Sequence, residues 1–118
     1  MSAVRLLLVL AAFALAAAAP AAAAPPKLVG TVGPGFTISL TLKGKAVRTL
    51  KAGTYRLVVR DKAAIHSFAM DGPRGFAKDF TSVPFTGTKT FTLKLTRGSW
   101  TFYCPPHEPQ MFGRFRVR

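Results

Sequence analysis

Apolar and polar residues alternate with a period of two along most of the chain after residue 27. Such alternation is typical of β-strands that bury one face. Turns containing glycine or proline separate the runs, and no stretch has the spacing of an amphipathic helix. The six clearest runs cover residues 36–42, 54–60, 64–70, 88–96, 99–104 and 112–118. The run at 64–70 is of interest because it includes His66.

Short strands at this spacing, without helices, predict an all-β fold. We expect about seven strands packed as an antiparallel β-sandwich, forming one domain over residues 27–118. The longest irregular stretch, residues 74–87, holds Phe76, Phe80 and Phe85.

The beginning of the chain has a different pattern. Arg5 is the only charge before an apolar run at residues 6–19, and small residues follow at Ala21–Ala24. This order predicts a secretory signal peptide over residues 1–23, cleaved near Ala22 or Ala23, and a periplasmic, cell-surface or secreted protein. An uncleaved anchor is the alternative, because residues 6–24 are just long enough to span a bilayer.

The chain is strongly basic, with 17 Lys and Arg against 4 Asp and Glu and a net charge of +13. Such a charge attracts anionic partners. The cations are spread singly along the strands, with neither a basic helix nor an aromatic-lined groove, and export also argues against nucleic acid. We therefore expect an acidic protein partner or an anionic membrane surface.

Cys104 is the only cysteine, so the chain cannot form an internal disulfide. A free thiol in an oxidising compartment is open to oxidation or intermolecular pairing. A bound metal ion would protect the thiolate, and its binding energy would stabilise a small fold.

Cys104, His107 and Met111 lie within eight positions, in a loop between two predicted strands. Thiolate, imidazole and thioether are the donors that suit copper, including copper(I). His66 is the one other histidine and would complete a trigonal site with a weak axial sulfur. Each residue also has an ordinary interpretation, since cysteine and methionine often fill cores and a single histidine often has a structural role.

The loop is stiffened by proline. Pro105 and Pro106 fix the backbone between Cys104 and His107, which pre-positions the ligands. The apolar residues near His107 predict an apolar collar around it, which Phe76 or Phe85 could join. The neighbours in sequence are Pro105, Pro106, Pro109 and Phe112.

These segments resemble the cupredoxins, the blue copper proteins similar to plastocyanin and azurin. Cys104-Pro105-Pro106-His107, followed by Met111 and Gly113-Arg114-Phe115, resembles their C-terminal ligand loop. Ile65-His66-Ser67-Phe68 resembles the segment of their first histidine, with Ser67 where the family usually has asparagine. Residues 32–36 and 50–55 resemble small exported bacterial members.

The resemblance implies a Greek-key β-sandwich with one type 1 copper ion near one end. The implied ligands are His66, Cys104, His107 and Met111, and the implied supporting residues around them are Ser67, Pro106 and Phe68. The implied function is single-electron transfer through the exposed edge of His107. We expect a carrier outside the cytoplasm whose redox partner, from the basic charge, has an acidic docking surface, and we expect the carrier to be a monomer.

Two other functions compete with this one. A protein that buffers or delivers copper in the cell envelope would use the same ligands, and a β-sandwich module without a metal would use none of them. An enzyme is not expected, because Cys104 and His107 have no evident acidic residue to orient them as a nucleophile and base.

Overall fold

The computed structural model describes residues 2–4, 8–15 and 23–118. Within these residues the chain forms ten β-strands and two short 3₁₀ turns, Pro73–Gly75 and Pro105–His107. The strands are β1 (Lys27–Val32), β2 (Ile38–Leu42), β3 (Lys45–Ala46), β4 (Thr49–Leu50), β5 (Gly53–Asp61), β6 (Ala69–Asp71), β7 (Ala77–Asp79), β8 (Gly87–Leu95), β9 (Gly98–Tyr103) and β10 (Phe112–Val117).

The strands form two five-stranded sheets. The first sheet has the order β3-β2-β1-β5-β8 and the second the order β4-β10-β9-β6-β7. The predicted all-β sandwich is confirmed, but the expectations of about seven strands and of antiparallel pairing throughout are wrong. β1 runs parallel to β5, and β10 runs parallel to β4. In both pairs other strands intervene along the chain, which leaves room for the longer connection that parallel pairing needs.

The additional strands are short or lack a regular pattern. β3 and β4 have two residues each, and β6 and β7 have three, too few for an alternation to be visible. In β1 the alternation of Leu28 and Val32 is interrupted by Gly30. A Cβ at Gly30 would lie 2.6 Å from the ring of Phe68, so the glycine leaves room for that core side chain.

The predicted strand at residues 64–70 is wrong for most of its length, because β6 begins only at Ala69. The chain turns directly after β5. The Ala63 amide donates to Oδ1 of Asp61 over 3.3 Å, and the His66 amide donates to the Ala63 carbonyl over 3.1 Å. These local hydrogen bonds take the backbone out of the sheet, so His66 lies in a loop.

The core lies between the two sheets and consists of the inward residues of the alternating runs. Phe68 stacks on Phe102 with ring centroids 6.1 Å apart, and Trp100 stacks on Phe115 at the same separation. Met70 is fully buried among them, as a core side chain. The apolar core thus holds the strands that lead into the loops at the ends of the sandwich.

The described parts of the first 22 residues contain neither helix nor strand. Arg5 and Ala22, on which the predicted signal peptide and its cleavage depend, lie outside the described residues. Among those that are described, no helix is long and apolar enough to cross a bilayer. The signal peptide over residues 1–23 stays a prediction.

Candidate metal centre

Three loops meet at one end of the sandwich, which we call the ligand end. They are residues 33–37 after β1, residues 62–68 after β5, and residues 104–111 between β9 and β10. Gly33 has a φ of 78°, and a Cβ there would lie 3.2 Å from Cδ2 of His66. Glycine at this position therefore lets the first loop lie directly against the histidine of the second.

The ligand end brings together His66, Cys104 and His107. Nδ1 of His66 lies 3.1 Å from Nδ1 of His107. Sγ of Cys104 lies 3.8 Å from the first nitrogen and 3.7 Å from the second. The two imidazoles and the thiol therefore direct their donor atoms at one point, although His66 lies 38 residues before Cys104 along the chain.

These distances fit a single metal ion. The point equidistant from the three donor atoms in their plane lies about 2.1 Å from each, within the range of about 2.0–2.3 Å for metal–nitrogen and metal–sulfur bonds. Three donors around such a point form a trigonal set. Two imidazoles and one thiolate in this arrangement suit copper.

Backbone hydrogen bonds hold the third loop closed around its donors. The Cys104 amide donates to the Met111 carbonyl over 3.0 Å, and the Met111 amide donates to the His107 carbonyl over 2.9 Å. The His107 amide donates to the Cys104 carbonyl over 2.9 Å. Met111 is fully buried within the loop, so its thioether belongs to the interior of the ligand end.

The three predicted supporting residues have different surroundings. The Ser67 amide donates to Sγ of Cys104 over 3.4 Å, so the two ligand loops are joined by a backbone group. Phe68 is a core residue whose amide donates to Oγ1 of Thr81 over 2.9 Å. Pro106 is exposed and lies in the Pro105–His107 turn, where its contribution is to fix the backbone.

Burial distinguishes the two histidines. His66 and Cys104 have no exposed surface, whereas His107 is partly exposed. Nε2 of His66 is buried and has no hydrogen-bond partner among the described residues, whereas Nδ1 of the same ring faces His107 and Cys104. One edge of the donor set therefore faces solvent, through His107.

Phe36 is the site residue that the sequence pattern did not reveal. Its ring lies edge-on against both histidines, with centroids 5.2 Å from His66 and 4.9 Å from His107. The alternation at residues 36–42 had placed it inside a strand, but β2 begins only at Ile38 and Phe36 is 58% exposed. The glycines on either side of Pro34 were the available signal for a loop.

The phenylalanines of the long irregular stretch lie elsewhere. Phe76 packs on Trp100, with ring centroids 4.8 Å apart. Phe85 lies beneath the ammonium group of Lys89, 4.3 Å from ring centroid to nitrogen. Phe36, from a different loop, is the phenylalanine whose ring contacts His107.

Tyr103, next to Cys104 in sequence, points away from the core into an acidic environment. Its hydroxyl donates to Oδ1 of Asp71 over 3.1 Å. Partial burial, this hydrogen bond and the negative charges of Asp71, Glu108 and Asp79 raise the pKa of Tyr103 from 10.0 to about 12. The folded protein therefore retains the phenolic proton more strongly than the unfolded chain does.

The tyrosinate absorbance of Tyr103 is the difference between the unmodified protein and Tyr103→Phe. We expect this difference to titrate with a midpoint near the pKa of about 12. Asp71→Asn should lower this midpoint, because it removes a negative charge and the best acceptor. Because the pKa of Tyr103 is higher in the folded state, its retained proton stabilises the folded protein. This contribution to folding stability is complete below the unfolded pKa of 10.0 and is lost as the pH rises towards 12. A midpoint near 10 in the unmodified protein would contradict this assignment.

Comparisons with known proteins give matches at the level of structure. No family model and no curated protein sequence matches the chain. Rusticyanin from Thiobacillus ferrooxidans at 1.27 Å is 26% identical with a TM-score of 0.50, and reduced rusticyanin solved by NMR is 26% identical with a TM-score of 0.51. A 2.1 Å structure of the copper protein rusticyanin is 20% identical with a TM-score of 0.54.

Each of these comparisons covers 78% of this chain and 76% of the rusticyanin chain. The shared architecture is the cupredoxin fold, which confirms the resemblance noted in the ligand loop and in the segment around His66. Three of the four residues that the resemblance implied as ligands, His66, Cys104 and His107, direct their donor atoms at one point of the ligand end.

Proposed function

We propose that this protein is a type 1 copper protein that carries single electrons outside the cytoplasm. The observation that carries the proposal is the triangle formed by Nδ1 of His66, Nδ1 of His107 and Sγ of Cys104. The rusticyanin-like fold supports it, since one of the matched structures is named a copper protein.

His66, Cys104 and His107 would hold the ion, and Met111 would contribute its thioether as a weaker ligand. Copper bound there would supply one-electron chemistry by alternating between the +1 and +2 states. The chain would keep the donor atoms in place in both states. The proline-containing loop, its backbone hydrogen bonds and the burial of Cys104 all limit movement of the ligands.

The Ser67 amide would stabilise the thiolate form of Cys104 by donating to its sulfur. Phe36 would exclude water from one side of both imidazoles. His107 would be the route for electrons, because its ring is the partly exposed edge of a site otherwise covered by protein.

The net charge of +13 supports a partner with an acidic docking surface. The apolar run of the leader supports export, and a monomer is the simplest form of a mobile carrier. The alternative function, a buffer or delivery protein for copper, would use the same donors but would have to release the ion.

Repeated redox cycling in the presence of a copper(I) chelator separates the two functions. We expect the copper-loaded protein to bleach on reduction and to regain its visible thiolate absorption on oxidation, with no copper passing to the chelator. His107→Gly opens the solvent-facing position and should lose copper under the same conditions. Transfer of copper from the unmodified protein during the first reduction would instead favour delivery.

A further inference from the structure

The charges of this protein are distributed unequally over its two sheets. Of the four acidic residues, Asp61 is buried, and the other three are exposed. Those three lie around Tyr103 of the second sheet. Asp71 accepts the hydrogen bond of the Tyr103 hydroxyl, Asp79 is opposite Ala69, the β6 partner of Tyr103, and Glu108 lies in the loop after β9. The exposed negative charge is therefore concentrated at one place, next to the ligand end.

The outer face of the first sheet carries four cations and, among its strand residues, no acid. Strand register identifies its members. Lys27 is opposite Arg56 on β1 and β5, Thr31 is opposite Arg60, and Thr54 is opposite Lys94 on β5 and β8. All four cations are exposed, because the alternate residues of these strands form the core. We call Lys27, Arg56, Arg60 and Lys94 the basic face.

The residues between these cations are small and uncharged. Val58 separates Arg56 from Arg60 on β5, and Thr88, Thr90 and Thr92 are the partners of Arg60, Val58 and Arg56 on β8. No carboxylate on this face offsets the repulsion between Lys27 and Arg56, which are direct neighbours. Adjacent like charges on paired strands are destabilising, and an anionic partner bound to this face would offset their repulsion.

Three of the four cations of the basic face lie away from the ligand end, whereas Arg60 lies one position before the end of β5. Arg56 lies five positions before the end of β5, about 16 Å along a strand. Lys27 and Lys94 pair with Arg56 and with its neighbour Thr54, so they share this distant half of the sheet. A redox protein bound there would be held far from His107. A bilayer exchanges no electrons with the site, so it can bind this face without being close to His107.

We propose that the basic face docks this protein side-on to a bilayer rich in anionic phospholipid. Guanidinium and ammonium groups would contact the lipid phosphates, while the ligand end and the acidic surroundings of Tyr103 stay accessible at the side. The carrier would then move along the membrane surface, with His107 free to meet its partners. The proposal does not require bound copper.

Co-sedimentation with vesicles tests the proposal. The protein is used as purified from the cell envelope, with its N-terminus read by mass spectrometry. Vesicles of phosphatidylglycerol and phosphatidylcholine are compared with vesicles of phosphatidylcholine alone, which report any binding by an apolar leader. We expect binding to the anionic vesicles that weakens as salt is raised, because salt screens exposed charges.

A pair of double variants locates the surface. Arg56→Gln with Arg60→Gln removes two cations of the basic face. Arg114→Gln with Arg116→Gln removes two exposed arginines from the outer face of the second sheet, so both double variants lose two positive charges. Each cation near an anionic bilayer increases the binding affinity about fivefold, so loss of the two arginines in the first double variant should weaken binding roughly thirtyfold. The second pair, facing away from the lipid, should change it by about twofold or less.

Equal losses in the two double variants would overturn the proposal, since net charge alone would then govern binding. So would equal binding to neutral and anionic vesicles. Binding to dextran sulfate with the same difference between variants, but none to vesicles, would reject the bilayer in favour of an anionic polymer. Thermal unfolding of the unmodified protein and the two double variants verifies that the variants are folded.

Discussion

Replacing Cys104 by serine should abolish the intense visible absorption of the copper(II)-loaded protein. That absorption requires a thiolate bonded to the ion, and Cys104 supplies the only sulfur of its kind in the chain. The substitution leaves the two imidazoles, so weak copper binding can remain without the colour. A visible spectrum recorded during titration with copper(II) measures the effect directly.

The matched control is Met111→Leu. Leucine has nearly the volume of methionine and should preserve the packing of this fully buried position at a cost below about 1.5 kcal/mol. Because the thioether would be only a weak axial ligand, the thiolate band should persist with altered energy and intensity. A Cys104→Ser protein that kept an intense band would contradict the proposed ligand set.

Copper should also raise the unfolding temperature of the unmodified protein more than that of Cys104→Ser. An ion that binds only the folded state raises the free energy of unfolding. The increase grows with the logarithm of the ratio of ion concentration to Kd. Calorimetry with and without copper therefore gives a second measurement that does not depend on colour. Similar unfolding temperatures for the two metal-free proteins would verify that the substitution leaves the fold intact.

Replacing Phe68 by alanine should cost about 3–5 kcal/mol of folding free energy. Phe68 has no exposed surface, fills the space above Gly30 and stacks on Phe102. It thereby contacts both sheets of a domain whose total stability is on the order of 5–15 kcal/mol. Urea unfolding at fixed temperature, analysed by linear extrapolation, measures the loss.

Phe112→Ala provides the comparison, because the same ring is removed from a position that is 46% exposed. It should cost about 1 kcal/mol or less, chiefly through its contact with the guanidinium of Arg114. Phe68→Leu keeps most of the apolar volume and should recover part of the loss if the alanine variant is too unstable to purify. Equal costs at positions 68 and 112 would show that the core is not organised as described.

Cys104 and Phe68 belong to different parts of the same arrangement of loops at the ligand end. Cys104 would bind the ion, whereas Phe68 anchors the segment that holds His66 and the Ser67 amide in place. Loss of Phe68 should therefore also loosen the connection between the two ligand loops. In the alanine variant, copper binding should weaken even where the protein remains folded.

The sequence by itself determined the fold class and indicated the candidate metal ligands. Long alternating runs, such as residues 88–96, specify a strand because only a period of two places their apolar side chains on one face. Cys104, His107 and Met111 lie in one short loop, so their proximity follows from covalent connection. The choice of copper follows from the chemistry of the donors.

Tertiary structure decided the features that depend on contacts between distant residues. No local pattern places His66 beside His107, 41 positions later, or the ring of Phe36 against both. The two-residue strands β3 and β4 exist only because longer neighbours supply their hydrogen-bond partners. The basic face likewise arises when strand register aligns cations that are separated along the chain. Local propensity acts over a few residues, whereas pairing of sheets and loops is settled only when the whole core packs.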